Sequence, residues 1–283
     1  MPGLGSLPPM TAGTESADEL ISMITCGGRH EFQDQLRKLC YEFADIFSLG
    51  LRREPAKVRP FKVQVDRTKW EEPVNRRSPR PQGYAKEEEI RRQVDKLIKE
   101  RVIRESNARY YSQVVMAKKP DGVSWRLCVD YRHLNDASEA ESWPLPIVSR
   151  VMERLGKKQP TIFGKMDLTS GFWQAPISQE ASVLTAFITS FGLFEFKRLP
   201  MGAKGAPSWF NRVISRDVLK ELLYEICELY IDDVIAHAKT EEEFLQRMRL
   251  IFTRFRECKI LLNPKKVQLG ITEIEFLGHM VSK

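Results

Sequence analysis

Leu229-Tyr230-Ile231-Asp232-Asp233-Val234-Ile235 sets two adjacent carboxylates between two apolar, strand-forming runs. Leu229–Ala238 therefore reads as a β-hairpin turning at Asp232-Asp233. Neighbouring aspartates repel, and a carboxylate beside a buried strand is costly unless something compensates it. A divalent cation supplies that compensation because it takes oxygen ligands. Taken alone, the dipeptide more often marks a solvated turn, so a further carboxylate is needed before any chemistry follows.

Asp167 is the candidate. It closes the apolar run Thr161–Leu168, ahead of Ser170-Gly171-Phe172. A lone aspartate at a strand end is usually a cap, but paired with Asp232 it gains another meaning. Two-metal phosphoryl transfer needs carboxylates from separate strands, holding ions ~3.5–4 Å apart. A triphosphate also needs cations. Ser112–Ala117 and Trp125–Tyr131 read as two strands joined through Pro120-Asp121-Gly122, a turn in which Pro fixes φ, Asp bonds locally and Gly accepts positive φ. Lys119 and Arg126 flank that turn, offering a compact charge and a planar fork; each could equally be a solvated charge. Leu199–Pro207 carries two glycines before a proline-started helix, which permits close backbone approach by a ligand or serves as a plain loop-to-helix junction.

The rest of the chain surrounds these pieces with helices and short strands. Helical spacing predicts helices over about 31–47, 86–101, 146–155, 207–224 and 240–258, the last capped by Thr240 with Glu243 three residues on. Strand material is expected around Gln174–Ile177, Thr185–Thr189, Phe194–Arg198 and Ile274–Val281. Helices alternating with hairpins give a mixed α/β (α+β type) class with a mainly antiparallel sheet. A Gly- and Pro-rich start makes 1–30 the expected disordered segment. The Arg- and Pro-rich stretch containing Arg76, Arg77 and Arg80 reads as a linker. The 42% hydrophobic content excludes a disordered chain, and the net charge of +7 suits a polyanionic partner without identifying one. Five scattered cysteines without a C-x-x-C pair argue against structural zinc and fit a reducing compartment. No apolar run is long enough to span a bilayer and no secretory signal opens the chain, so a cytoplasmic location is expected.

Taken in order, the motifs form a recognisable set. They are A-K-K-P-D-G-V-S-W-R-L-C-V-D-Y-R-H-L-N (Ala117–Asn135), W-P-L-P (Trp143–Pro146), K-M-D-L-T-S-G-F-W-Q (Lys165–Gln174) and L-T-A-F (Leu184–Phe187), followed by L-P-M-G-A-K-G-A-P (Leu199–Pro207), Y-I-D-D (Tyr230–Asp233) and E-F-L-G-H-M-V-S (Glu275–Ser282). The chain from about Phe43 onward resembles the reverse transcriptase of gypsy-type LTR retrotransposons and, more distantly, of retroviruses. The resemblance implies a right-hand polymerase without its thumb. A linker and helices over 31–105 lead into fingers and palm over 106–283, with a fingers hairpin at about 112–132 and the palm at about 160–283.

It further implies RNA-directed DNA polymerisation, with Asp167, Asp232 and Asp233 as catalytic carboxylates and ligands of two Mg²⁺ ions (Mn²⁺ as a substitute). Lys119, Arg126, Phe172, Met201 and Gly202 become dNTP contacts, Phe172 as a steric gate against the ribose 2′-hydroxyl. Tyr230, Leu277, Gly278 and His279 become primer–template contacts, and Lys265 or Lys266 the basic residue near the leaving pyrophosphate. The implied partners are an RNA or DNA template with primer, dNTPs, and the RNase H and integrase of a larger polyprotein. Met201, Ala203-Lys204-Gly205 and Leu184 depart from the usual pattern. The expected alternative is a catalytically silent, truncated nucleic-acid-binding remnant of such a polyprotein. A third, an RNA polymerase with related palm geometry, is disfavoured by Phe172.

Overall fold

Short β-branched and aromatic runs separated by tight turns give twelve strands in the computed structural model, which describes residues 15–139, 143–276 and 279–282. They are β1 (Thr25–Cys26), β2 (Ile103–Glu105), β3 (Ser112–Lys118), β4 (Trp125–Asp130), β5 (Ile162–Asp167), β6 (Phe187–Thr189), β7 (Gly192–Phe196), β8 (Cys227–Tyr230), β9 (Asp233–Ala238), β10 (Gln268–Ile271), β11 (Glu273–Phe276) and β12 (His279–Ser282). One five-stranded sheet has the order β1-β10-β5-β9-β8, and a second the order β2-β7-β6-β3-β4. The β11–β12 hairpin stands by itself. Within the described sheets, parallel strand pairs are β1 with β10 and β3 with β6, so both large sheets are mostly antiparallel and the class is the mixed α/β expected.

The first sheet is built mainly from the stretch expected to be the palm. Its central strands β5 and β9 are covered by helix Glu241–Glu257, whose Phe244, Met248, Ile251, Phe252 and Phe255 repeat at helical spacing and are all fully buried. Each such burial contributes ~1.5–3 kcal/mol. Gly164 in β5 makes the close approach possible, since a Cβ there would lie 2.9 Å from Phe244 Cζ. Thr240 accepts from the Glu243 N–H as expected, and the Glu243 carboxylate accepts from Lys239 N at 2.7 Å with the Thr240 N–H also acting on it.

The second sheet joins the hairpin expected in the fingers, β3 and β4, to β6 and β7 from the stretch expected to be palm. The β3–β4 register runs from Gln113↔Asp130 to Lys118↔Trp125. At the tip, the Asp121 carboxylate accepts from Val123 N and Ser124 N, each at 2.9 Å, and Gly122 takes φ +69°, so the turn follows the mechanism expected of Pro-Asp-Gly. Strand β4 is an edge. Gln93, buried on helix Tyr84–Lys99, satisfies that edge by donating to Trp125 O and accepting from Leu127 N, both at 2.9 Å.

Several segments depart from expectation. Residues 1–14 of the expected disordered segment lie outside the described residues, but 15–30 are ordered. Ser16 and Glu19 form a capping box for helix Ala17–Ser22, Leu20 and Ile21 are buried, and Thr25–Cys26 extends the palm sheet. Helix His30–Glu42, expected to lead into the fingers, packs in the palm core instead, with Phe32 edge-on to Phe244 at 6.1 Å. The strand expected at Gln174–Ile177 is a short helix, Gly171–Gln174, followed by isolated bridges at Pro176 and Ile177. Helix Gln179–Leu184 was hidden by its brevity. The long helix expected from Pro207 runs as α-helix only over Ala206–Val213, widens to a π-helix over Ile214–Leu219 and tightens over Lys220–Leu222.

Candidate active site

The site grows out of backbone register. β5 and β9 pair antiparallel so that Asp167 lies opposite Asp233, while Tyr230 at the end of β8 lies opposite the same Asp233. Only Ile231-Asp232 remains to make the turn. Of those two residues Ile231 alone has positive φ, at +56°, which is the pattern of a type II′ hairpin, whose first central position normally takes glycine. A β-branched residue held there costs of order 1–3 kcal/mol and persists only when its surroundings over-determine it. Here strands grip both ends, and Leu168 N donates to Asp232 O at 3.4 Å.

Three carboxylates therefore crowd one end of the palm sheet. Burial, then Asp233 and Asp167, push the Asp232 carboxyl up from 3.8 to about 6, against a smaller opposing pull from Lys266. Burial also raises Asp233; Lys165 and Lys266 oppose that, while Asp167 adds to it. Lys266 donates to Asp167 Oδ2 at 3.0 Å. Lys165, two residues before Asp167 on the same strand, instead gives its ammonium to Glu275 O at 3.1 Å. Among the described residues, no group of three or more His, Cys, Asp or Glu side chains is placed to hold a metal ion, and Lys266 stands on one of the three aspartates.

Around it, Ser170 takes a left-handed conformation and starts helix Gly171–Gln174. Gly171 touches the site directly: a Cβ there would lie 3.4 Å from Asp232 Cβ and 3.3 Å from Phe210 Cζ. Phe172 is half-buried with its ring tilted on Phe210 at 5.0 Å. Buried Gln174 locks this helix in place, donating to Thr169 O and Leu261 O, each at 2.8 Å, and accepting from Leu261 N at 2.6 Å. The loop Leu199–Gly205 exposes Met201 and gives Gly202 φ +89°. Asn135 fastens that loop to the fingers, donating to Gly202 O at 3.0 Å and accepting from Lys204 N at 2.7 Å.

The sequence motifs and this geometry meet in a family assignment. Residues 117–281, more than half of the chain, match the family described as reverse transcriptase (RNA-dependent DNA polymerase). The chain belongs to the reverse transcriptase family. Among curated relatives, the retrovirus-related Pol polyprotein from transposon 412 of Drosophila melanogaster is 35% identical, over 88% of this chain and 20% of the relative. The Pol polyprotein from transposon gypsy of the same fly is 31% identical, over 69% of this chain and 19% of the relative. The chain thus spans about a fifth to a quarter of the curated relatives of this type. Among solved structures, the prototype foamy virus protease-reverse transcriptase superposes with a TM-score of 0.75 at 24% identity, covering 94% of this chain and 34% of that one. A foamy viral protease-reverse transcriptase in complex with RNA/DNA hybrid superposes with 0.74 at 22% identity, with the same coverage. At that identity the superposition establishes the right-hand polymerase fold.

Within this reverse transcriptase domain, Asp167, Asp232 and Asp233 come together, with Phe172 beside them through Gly171 and Phe210. Lys119 and Arg126 share one face of the fingers hairpin, because Arg126 pairs with Ala117 and Lys119 follows two residues on; Arg126 is buried. That pair stands on the fingers sheet and the aspartates on the palm sheet. Tyr230 packs into a separate small core with Phe163, Ile235, Ile274 and Phe276. Leu277 and Gly278 lie outside the described residues. His279 opens β12, opposite Phe276. Sequence reasoning assigned no role to Asn135 or Gln174, although both sit inside quoted motifs. For Gln174 the available signal was a polar amide in the otherwise apolar run Gly171–Pro176, which a buried backbone partner explains; Asn135, set among Arg132, His133 and Asp136, carried no such signal.

Proposed function

We propose that this chain is the fingers-and-palm portion of an RNA-directed DNA polymerase from a retrotransposon Pol polyprotein, joining dNTPs to a primer 3′-hydroxyl. The observation that carries this reading is the register pairing of Asp167 with Asp233 and the raised carboxyl of Asp232 at the adjoining turn. Carboxylates forced together and partly buried fit divalent cations, which relieve both the repulsion and the desolvation. Asp167 and Asp232 would hold two Mg²⁺ ions, or Mn²⁺ in their place, with Asp233 in support. Bound metal supplies Lewis-acid polarisation of the phosphoryl oxygens and a more acidic attacking hydroxyl.

The protein's own share is placement and charge. The primer 3′-hydroxyl gives its proton to water as its oxygen bonds to the α-phosphorus, the α–β bridging bond breaks and pyrophosphate leaves. Lys119 and Arg126 balance the triphosphate charge. Phe172, braced by Phe210, crowds the 2′ position of the sugar and favours dNTPs. Met201 and Gly202 face the nascent base pair, where positive φ at Gly202 presents backbone in place of a side chain. Tyr230 and residues 277–279 bear on the primer. The template is RNA or DNA, gripped chiefly through phosphates and so with salt-dependent affinity. The relatives are named as Pol polyproteins, which supports a larger polyprotein as the source; RNase H and integrase are its proposed further parts. Among the described residues no helix is long and apolar enough to cross a membrane; the cytoplasmic location is part of the proposal.

Primer extension on poly(rA)–oligo(dT) with dTTP and Mg²⁺ or Mn²⁺ tests the proposal. Metal-dependent extension that disappears in Asp232→Asn supports it. A folded chain that binds the duplex but never extends it would be the silent nucleic-acid-binding remnant instead.

A further inference from the structure

The lysine on Asp167 has a role of its own. Lys266 ends a 3₁₀ turn, Pro264–Lys266, whose N-cap Asn263 accepts from Lys265 N at 3.1 Å through its side chain. The same residue's backbone N–H donates to Asp167 O at 2.9 Å, and Leu262 bridges Leu168. The turn is therefore bolted to the end of β5, and the ammonium on Asp167 Oδ2 follows from that attachment. Lys165, the other ammonium that acts on Asp233, is held by Glu275 O. The pair is also weakly held: the Lys266 side chain is 60% exposed and that of Asp167 17%. Partly solvated ion pairs of this kind contribute little and break readily.

We infer that Lys266 is a displaceable counter-ion of the metal-free site, standing on Asp167 where a divalent cation is to bind and leaving it when the cation enters. This rests on the proposed metal-binding role of the aspartates. It gives Lys266 a positioning role: it keeps Asp167 oriented and charge-compensated between catalytic cycles, and it weakens metal affinity.

The test uses the full chain without nucleic acid, with Mn²⁺ as the probe. Free Mn²⁺ is followed by paramagnetic resonance in wild type, Lys266→Gln and Asp232→Asn, and lysine acylation is read residue by residue by mass spectrometry. Lys266→Gln should bind Mn²⁺ about fivefold more tightly, equivalent to ~1 kcal/mol. Lys266 in the wild type should acylate more slowly than its neighbour Lys265 without metal and catch up at Mn²⁺ saturation. Tighter binding with unchanged Lys266 reactivity would mean repulsion at a distance and would overturn displacement; unchanged affinity would overturn the inference as well. Equal Mn²⁺ binding by wild type and Asp232→Asn would strike the metal-site reading itself, a different failure.

Discussion

Asp232→Asn should stabilise the metal-free protein while abolishing its chemistry. The magnitude follows from the carboxyl whose pKa rises from 3.8 to about 6 on folding. At ~1.4 kcal/mol per pH unit, the ionised group costs the fold at most ~3 kcal/mol. Because Asp232 is partly solvated and shares its charge with neighbours, about 1–2 kcal/mol is the expected gain for the neutral, nearly isosteric asparagine. The sign depends on pH. Below 3.8 the carboxyl is protonated in folded and unfolded chains alike and costs nothing. Between 3.8 and about 6 the unfolded chain releases the proton first, and above about 6 the whole penalty stands. Urea unfolding in EDTA at pH 7.5 and at pH 4 reads this directly. The variant should be more stable at pH 7.5 and indistinguishable from wild type near pH 4. Saturating Mg²⁺ should reverse the order by stabilising the wild type, by ~2.7 kcal/mol at a hundredfold excess over Kd, far more than the variant. An Asp232→Asn protein that is no more stable than wild type at pH 7.5 in EDTA would refute the reasoning that these carboxylates are held together at a cost.

Other outcomes follow from the same structure. Phe172→Ala should raise rNTP use relative to dNTP use about tenfold or more in single-nucleotide extension, since it removes the ring braced on Phe210; no gain would dismiss the gate. Gln174→Leu strands the Thr169 carbonyl and the Leu261 amide and leaves the Leu261 carbonyl only its bond from Thr169 N, so it should cost about 2–4 kcal/mol in urea unfolding; a loss under ~1 kcal/mol would show that Gln174 does not bind these elements together. Burial, with Lys158 and Arg247 adding to it, pushes His237 down from 6.5 to about 4. An unfolded chain takes up that proton first as pH falls through this window, so His237 by itself should remove ~2–3 kcal/mol of stability between pH 7 and 4, a contribution missing from His237→Phe. An equal drop in the variant would assign the acid sensitivity elsewhere.

The motifs of the candidate site were legible because each is local. Tyr-Ile-Asp-Asp between apolar runs encodes a hairpin, and Pro-Asp-Gly encodes the fingers turn, whichever domain receives them. Helix Glu241–Glu257 was equally plain, since its apolar face repeats at helical spacing and its start carries a cap. The short segments were not legible. Gly171–Gln174 and Gln179–Leu184 are too brief for a period to declare itself, and they are helical because of what they pack against. The N-terminal region was misjudged for a related reason. Its loose composition hides Leu20 and Ile21, which matter only once the palm offers a surface to cover.

By itself the sequence determined which residues could do chemistry and which runs would be strands or long helices, because residue identity, turn propensity and hydrophobic period all act over a few positions. Tertiary structure decided the rest. It set Asp167 opposite Asp233, forced Ile231 into a left-handed turn, seated Phe244 over Gly164, and chose Lys266 over Lys265 for the ammonium on Asp167. Those outcomes depend on strand register and on burial across nearly a hundred residues of intervening chain. A carboxylate acquires its cost, and with it its use, only when the fold brings a second one beside it and takes the water away.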